Sequence, residues 1–212
     1  MSIQSEVEMH QSLEYLKREL KSQPDYREMF ESAFADSEIT PERIAMAIAT
    51  FERTLITSET AYDRYWQGEK KAMSPAAIRG MKLFSGKAKC SICHNGPLFT
   101  DHQFHDIGLQ EDKENIDKGR KNISGEIFHE GAFKTPGLRG VVSTDPYMHD
   151  GSLPDLRSVI DFYNQGGILG ERKSPFISPI DLNENDKNDL LEFLISLDMN
   201  ERNYKTQNQE IP

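Results

Sequence analysis

The feature that most constrains this chain is Cys90-Ser91-Ile92-Cys93-His94, which holds both of its cysteines and sets a histidine directly after the second. Two thiols three residues apart can each form a thioether to one porphyrin vinyl group. The imidazole of the next residue can then come up beneath the iron as proximal ligand. C-x-x-C-H is the spacing of covalent c-type haem attachment. The plainer readings are a zinc site or a redox dithiol. A structural zinc site normally takes four ligands, and there is no second C-x-x-C. A thioredoxin-like pair would sit in a βαβ neighbourhood, which this sequence lacks.

At 212 residues the chain could form one large domain or one and a half small ones. With 36% hydrophobic and 28% charged residues, it reads as a globular protein with an ample polar surface. A formal net charge of −10 argues against non-specific nucleic-acid binding, which needs a basic face. It would permit attraction to a basic partner. No apolar run approaches the roughly 18 residues of a membrane span. Haem c is attached outside the cytoplasm, so export is expected. Yet Met1-Ser2-Ile3-Gln4-Ser5-Glu6 shows neither a basic n-region nor an apolar h-region. The expectation is that a signal was removed or that more of a parent chain is missing.

Along the chain the patterns are helical. Residues 6–35 read as two short helices, with Val7, Leu13, Leu16 and Leu20 as a loose stripe and Pro24 starting the second. Tyr26, Phe30 and Phe34 then fall on one face. Thr40-Pro41-Glu42 is a cap, a first-turn proline and a favourable acidic residue. Behind it Ile44, Ile48, Phe51 and Leu55 recur at helical spacing. Ser74-Pro75 repeats the start, and Gly86 ends that helix just before the cysteines. From Gly96 to Gly151 periodicity disappears among Gly, Pro, Asn and Asp. Fifty irregular residues would count against a compact domain unless they wrap a large cofactor as their core. Ser152-Leu153-Pro154-Asp155 then fits a capping box, with Ser152 as N-cap. Leu156, Val159, Ile160 and Tyr163 form the stripe behind it, and Gly166-Gly167 stops the helix. A last helix is expected from about Asn185 to Leu197, with Leu190, Leu194 and Leu197 inward. The fold class is all-α.

A haem held by His94 needs something on its other face. Met148, His149, His102, His105, His129 and Tyr163 are all available, and the residues alone do not rank them. Tyr163 could equally be a core tyrosine whose hydroxyl bonds a nearby carbonyl. Identity matters, because a thioether raises the iron potential whereas a phenolate, a hard anionic donor, favours the ferric state.

Several ordered blocks go further. Ile39-Thr40-Pro41-Glu42-Arg43-Ile44-Ala45, Phe51-Glu52-Arg53-Thr54-Leu55 and the haem motif with Asn95-Gly96-Pro97-Leu98-Phe99 come first. Phe133-Lys134-Thr135-Pro136, Leu138-Arg139, Pro146-Tyr147-Met148-His149-Asp150-Gly151-Ser152 and Val159 to Gly167 come after them. Through these blocks, over roughly residues 6–200, the chain resembles the C-terminal haem half of bacterial di-haem cytochrome c peroxidases, MauG-type enzymes included. The resemblance implies a cytochrome c-like haem domain over residues 71–200 carrying one covalent haem. A helical extension over 1–70 would pack on it, and 201–212 would be a polar tail. In ordinary members the distal ligand is a methionine fourteen residues after the histidine of the Tyr-x-His-Asp-Gly block, and in MauG-like members a tyrosine. Here that residue is Tyr163, with Met148 as the alternative. Family members also bind calcium between their haem domains, through backbone carbonyls that match Thr144 and Pro146.

The departures are informative. There is one C-x-x-C-H and not two, so the peroxidatic haem of the N-terminal domain has no counterpart here. Gly140 stands where an asparagine is usual. Ala88 stands where MauG has a tryptophan that serves oxidation of a protein substrate. The implied function is the electron-accepting, relay half of a periplasmic di-haem peroxidase. Its partners would be the N-terminal peroxidatic haem domain and a small donor protein such as a monohaem cytochrome or cupredoxin. No catalytic acid or base is assigned within the chain, which alone would be a poor peroxidase. The competing reading is a stand-alone monohaem electron carrier. The single haem favours it, and the helical first 70 residues disfavour it.

Overall fold

Two helix starts in this chain are written as a hydroxyl residue followed by proline, Thr40-Pro41 and Ser74-Pro75, and the computed structural model bears both of them out. The structure describes residues 3–6, 8–55, 59–109, 117–168 and 173–198; Val7 and the polar tail 201–212 lie outside the described residues. Packing divides the chain into two units, Met1–Ile56 and Thr57–Pro212. The architecture is all-α, with eight α-helices and one two-stranded ribbon among the described residues.

The first unit holds α1 (Leu13–Ser22), α2 (Pro24–Phe34) and α3 (Pro41–Thr54). Thr40 caps α3, its side chain accepting from the Arg43 N–H, and Pro41 occupies the first turn as the sequence predicts. The core is small. Phe30, Ile39 and Ile44 are buried, with Leu16, Leu20 and Phe34 packed against them. Of the stripe expected along α3, only Ile44 goes inside; Ile48, Phe51 and Leu55 are 43%, 53% and 64% exposed. A unit of this size has little interior to offer, so most of an amphipathic face stays outside it.

The second unit begins with α4 (Ala61–Trp66), capped by reciprocal hydrogen bonds between Thr60 and Asp63. Within this unit α4 packs with later elements, its Tyr62 ring meeting those of Phe99 and Phe193. Next come α5 (Pro75–Ser85), α6 (Lys121–Ser124), α7 (Leu156–Gln165) and α8 (Glu184–Ile195). β1 (Phe104–His105) pairs antiparallel with β2 (Phe133–Lys134) inside the irregular stretch.

The α7 start corrects the sequence reading. Its N-cap is Asp155, whose carboxylate accepts the Ser158 N–H at 2.7 Å, and not Ser152. Leu153 is still extended there because it bridges to Tyr147, so the helix cannot begin until Pro154 has passed. Gly166, at φ 83°, ends α7 in the left-handed conformation that a glycine supplies. For α8 the cap is Asn183, in a capping box with Asp186.

α5 and α8 lie against each other, joined at the rim by Arg79 to Asp189 at 2.6 Å and Lys87 to Asp186 at 2.9 Å. At Gly80 the backbone of α5 comes close to α8. A methyl group there would overlap the Asp189 carbonyl oxygen and lie 2.9 Å from the Phe193 Cβ. Gly80→Ala should therefore force the helices apart and destabilise the protein by about 3 kcal/mol. The measurement is a urea melt with an unchanged slope and a lowered midpoint. An unmoved midpoint would mean that the two backbones do not meet there.

Candidate haem site

α5 delivers the chain to the two cysteines. Gly86 ends the helix, and Lys89 turns the backbone left-handed at φ 59°. A 3₁₀ turn then runs over Cys90–Ile92, closed by the Cys93 N–H on the Cys90 carbonyl at 3.3 Å, and the His94 N–H reaches the same carbonyl at 2.9 Å. This brings Cys90, Cys93 and His94 to the wall of one cavity.

The imidazole is held by the loop on its C-terminal side. His94 Nδ1 lies 3.0 Å from the Phe99 carbonyl oxygen. A carbonyl can only accept, so Nδ1 carries the proton and Nε2 keeps the lone pair that a metal would take. Phe99 presents that carbonyl from φ 55°, a conformation that costs energy without a Cβ-free residue. Its surroundings hold it there. Thr100 N–H reaches back to Asn95 at 2.8 Å, and the Thr100 hydroxyl donates to the Thr135 carbonyl at 2.6 Å. Arg139 Nε donates to the Pro97 carbonyl at 2.6 Å, while its other nitrogens make two 2.8 Å bonds to Asp63.

That ion pair ties the haem loop to α4 and sets a pH response. The Arg139 hydrogen bonds to Asp63, helped by Thr60, hold the carboxyl down at about 2. A carboxyl depressed in the folded state adds stability above its ordinary value of 3.8, and loses it as pH falls through about 2. Because the pair is partly solvated, its pH-dependent share should be only about 1 kcal/mol. Asp63→Asn should cost about 2 kcal/mol near neutral pH, because it strands the guanidinium. It should also flatten stability over that acid interval in urea melts. Parallel curves for the variant and the parent would show that the pair contributes nothing.

Cavity and donors fit a covalent haem. The cavity is about 420 Å³ and mostly apolar, within the usual range for a cofactor pocket. Burial pushes the Cys90 thiol up to about 12 and raises Cys93 as well. A reactive redox C-x-x-C would need the opposite, a thiol lowered towards the thiolate. Burial likewise lowers the His94 imidazole, which keeps it neutral for a metal.

The six residues considered for the opposite face separate. Met148, His149, His105 and Tyr163 line the cavity; His102 and His129 are not among its lining residues. His105 Nε2 pairs with Asp101 at 2.9 Å, and His149 stacks on Phe133 with ring centroids 3.6 Å apart. Met148 stands in the loop at φ 73°. Tyr163 comes from the stripe of α7, all four of whose members, Leu156, Val159, Ile160 and Tyr163, reach the cavity. Burial, then the neighbouring Cys90 and Cys93, pushes its phenol above the ordinary value of 10.0. The Tyr147 hydroxyl donates to the Val141 carbonyl at 2.9 Å, as a core tyrosine does, whereas the Tyr163 hydroxyl has no such partner among the described residues.

Thr144 and Pro146 sit on the same wall. Ala88 is buried, and its N–H bonds the Leu83 carbonyl at 2.9 Å. Gly140, at φ 71°, donates its N–H to the Leu197 carbonyl at 3.0 Å. Sequence reasoning does not single out Asp101. Asp101, His105 and Cys93 bring potential ligand atoms within 4.8 Å of one another. The i, i+4 spacing of Asp101 and His105 is visible in the chain, but Asp101 precedes β1 and His105 ends it, and outside a helix that spacing carries no meaning.

The fold and this site are those of a cytochrome c-like domain, and the comparisons narrow it. The profile of the family described as "Di-haem cytochrome c peroxidase" matches residues 1–71. Methylamine utilization protein MauG of Methylorubrum extorquens is 38% identical over 198 residues, which are 93% of this chain and 56% of that one. Cytochrome-c peroxidase IdrP1 of Pseudomonas sp. is 32% identical over 88% of this chain and 57% of its own length. A crystal structure described as a MauG-like protein associated with microbial copper homeostasis superposes with a TM-score of 0.78 at 33% identity, covering 91% of this chain and 64% of that one. The chain belongs to the di-haem cytochrome c peroxidase and MauG family. It spans little more than half the length of those curated relatives. The family implies haem c as cofactor.

Proposed function

We propose that this chain is the electron-accepting half of a di-haem peroxidase. One haem c would be held through Cys90 and Cys93, with His94 as proximal and Tyr163 as distal ligand. The observation that carries the reading is the convergence of two thiols, an imidazole with Nδ1 pinned to Phe99, and a phenol with no hydrogen-bond partner among the described residues on one apolar cavity. When bound, the haem supplies reversible one-electron chemistry at its iron.

The protein's own residues set the terms of that chemistry. The Phe99 carbonyl makes the His94 imidazole a stronger donor by polarising its Nδ1–H. α7 brings the Tyr163 phenol to the same cavity, where loss of its proton would give the iron a hard anionic ligand. The apolar wall of Leu156, Val159, Ile160 and Leu194 keeps water from the cofactor face. Electrons would arrive from a small periplasmic donor protein, a monohaem cytochrome or cupredoxin, and pass to a peroxidatic haem on an N-terminal domain. The Thr144 and Pro146 carbonyls would offer oxygens to a calcium ion shared with that domain. Among the described residues no helix is long and apolar enough to cross a membrane.

Peroxide turnover with a reduced donor tests this, measured on the haem-loaded chain alone and together with an N-terminal haem domain from a relative. Slow turnover alone and rapid turnover in combination are expected. Rapid turnover by the 212 residues alone would overturn the relay assignment.

A further inference from the structure

Trp66, the one tryptophan of the sequence, stands at the end of α4 and is 59% exposed. A solitary exposed aromatic is ordinary. This one starts an unbroken series of ring contacts. Trp66 meets Tyr62 edge-on with centroids 6.3 Å apart, and Tyr62 meets Phe99 at 5.2 Å. Phe99 meets Phe84 at 6.0 Å. Both inner rings belong to the haem site: Phe84 lines the cavity, and the Phe99 carbonyl accepts from His94. Packing accounts for the buried Phe84 and Phe99. It does not require that the outer positions be tryptophan and tyrosine, the two side chains that give up an electron most readily.

We propose that Trp66 and Tyr62 are the surface end of an electron path to the haem of this chain, used when no donor protein is docked. This rests on the assignment of haem c to Cys90, Cys93 and His94. The Trp66 indole loses one electron, which crosses the Tyr62, Phe99 and Phe84 contacts and reduces the oxidised iron by one. Its N–H proton passes to water, leaving a neutral indolyl radical. A small one-electron reductant of the phenol or ascorbate class returns one electron and one proton to the indole. The oxidising equivalent comes from the peroxide that the parent enzyme consumes.

Flash photolysis of the haem-loaded chain reads this path directly. Gln67→Cys, exposed beside Trp66, gives a single free thiol once Cys90 and Cys93 are in thioethers, and a ruthenium polypyridyl sensitiser is coupled to it. After a flash with an oxidative quencher, indolyl absorption should appear before the ferrous haem bands are lost. Trp66→Phe on that background should abolish the indolyl signal and slow haem oxidation by an order of magnitude or more. Tyr62→Leu should keep the indolyl signal and slow the second phase. The haem reduction potential should be unchanged in both variants. Equal rates in Trp66→Phe and its parent would overturn the path while leaving the haem assignment intact. A chain with no covalent haem by pyridine haemochrome would remove the assignment itself, and the path with it.

Discussion

Changing both Cys90 and Cys93 to alanine is expected to abolish covalent haem and, with it, cooperative folding of the second unit. The reason is volumetric. The cavity those thiols border is about 420 Å³. At about 24 cal/mol per Å³, an apolar void of that size costs on the order of 10 kcal/mol, as much as the whole stability of an ordinary domain. The loops between Gly96 and Gly151 close on the cavity through Pro136, Leu138 and Val141 and contribute few buried side chains of their own. Haem staining on a denaturing gel reports the covalent bond, and thermal unfolding by circular dichroism reports the fold. His94→Ala should behave differently: it keeps the thioethers and the filled core, so it should retain stained haem and most of the melting temperature. If the double cysteine variant melted cooperatively at the parent temperature, the haem would not be the core of this unit.

The attachment motif is legible in the sequence because its chemistry is local: thioether spacing and the adjoining imidazole are fixed within five residues. Helix starts at Thr40 and Ser74 are legible for the same reason, since a cap and a first-turn proline act within one turn. The start of α7 is not, because the Tyr147–Leu153 bridge decides it from outside the helix. Nor is the partner of His94, a backbone carbonyl that any residue at position 99 would supply. The Asp63–Arg139 pair joins positions 76 residues apart, beyond any periodicity. Most instructive is α3. Its period is right, but a period marks only which residues share a face, and Ile48, Phe51 and Leu55 remain outside. The choice of Tyr163 as proposed distal ligand rests only on the family pattern, although the α7 stripe that carries it to the cavity is plain in the sequence.

Tyr163→Phe is expected to raise the reduction potential of the bound haem and to change its ferric spectrum, while Met148→Leu does little to either. A phenolate binds ferric iron far better than ferrous, so it holds the potential down, and its removal releases that preference. For one electron, each tenfold of differential affinity is about 59 mV, so an upward shift on the order of 100 mV is the expected scale. The phenylalanine keeps the ring on the cavity wall beside Ile160, so packing should be nearly conserved and the melting temperature little changed. Burial raises the Tyr163 phenol in the protein alone, so the anionic form would need the iron's charge to draw off its proton. Apoprotein titrated by tyrosine absorbance should therefore show Tyr163 still neutral well above the ordinary value of 10.0, whereas the ferric holoprotein should carry phenolate at neutral pH. Met148 tests the converse. If the ferric protein shows the near-infrared sulfur-to-iron band, or if Met148→Leu moves the potential and Tyr163→Phe does not, the thioether is the ligand and the tyrosine assignment falls.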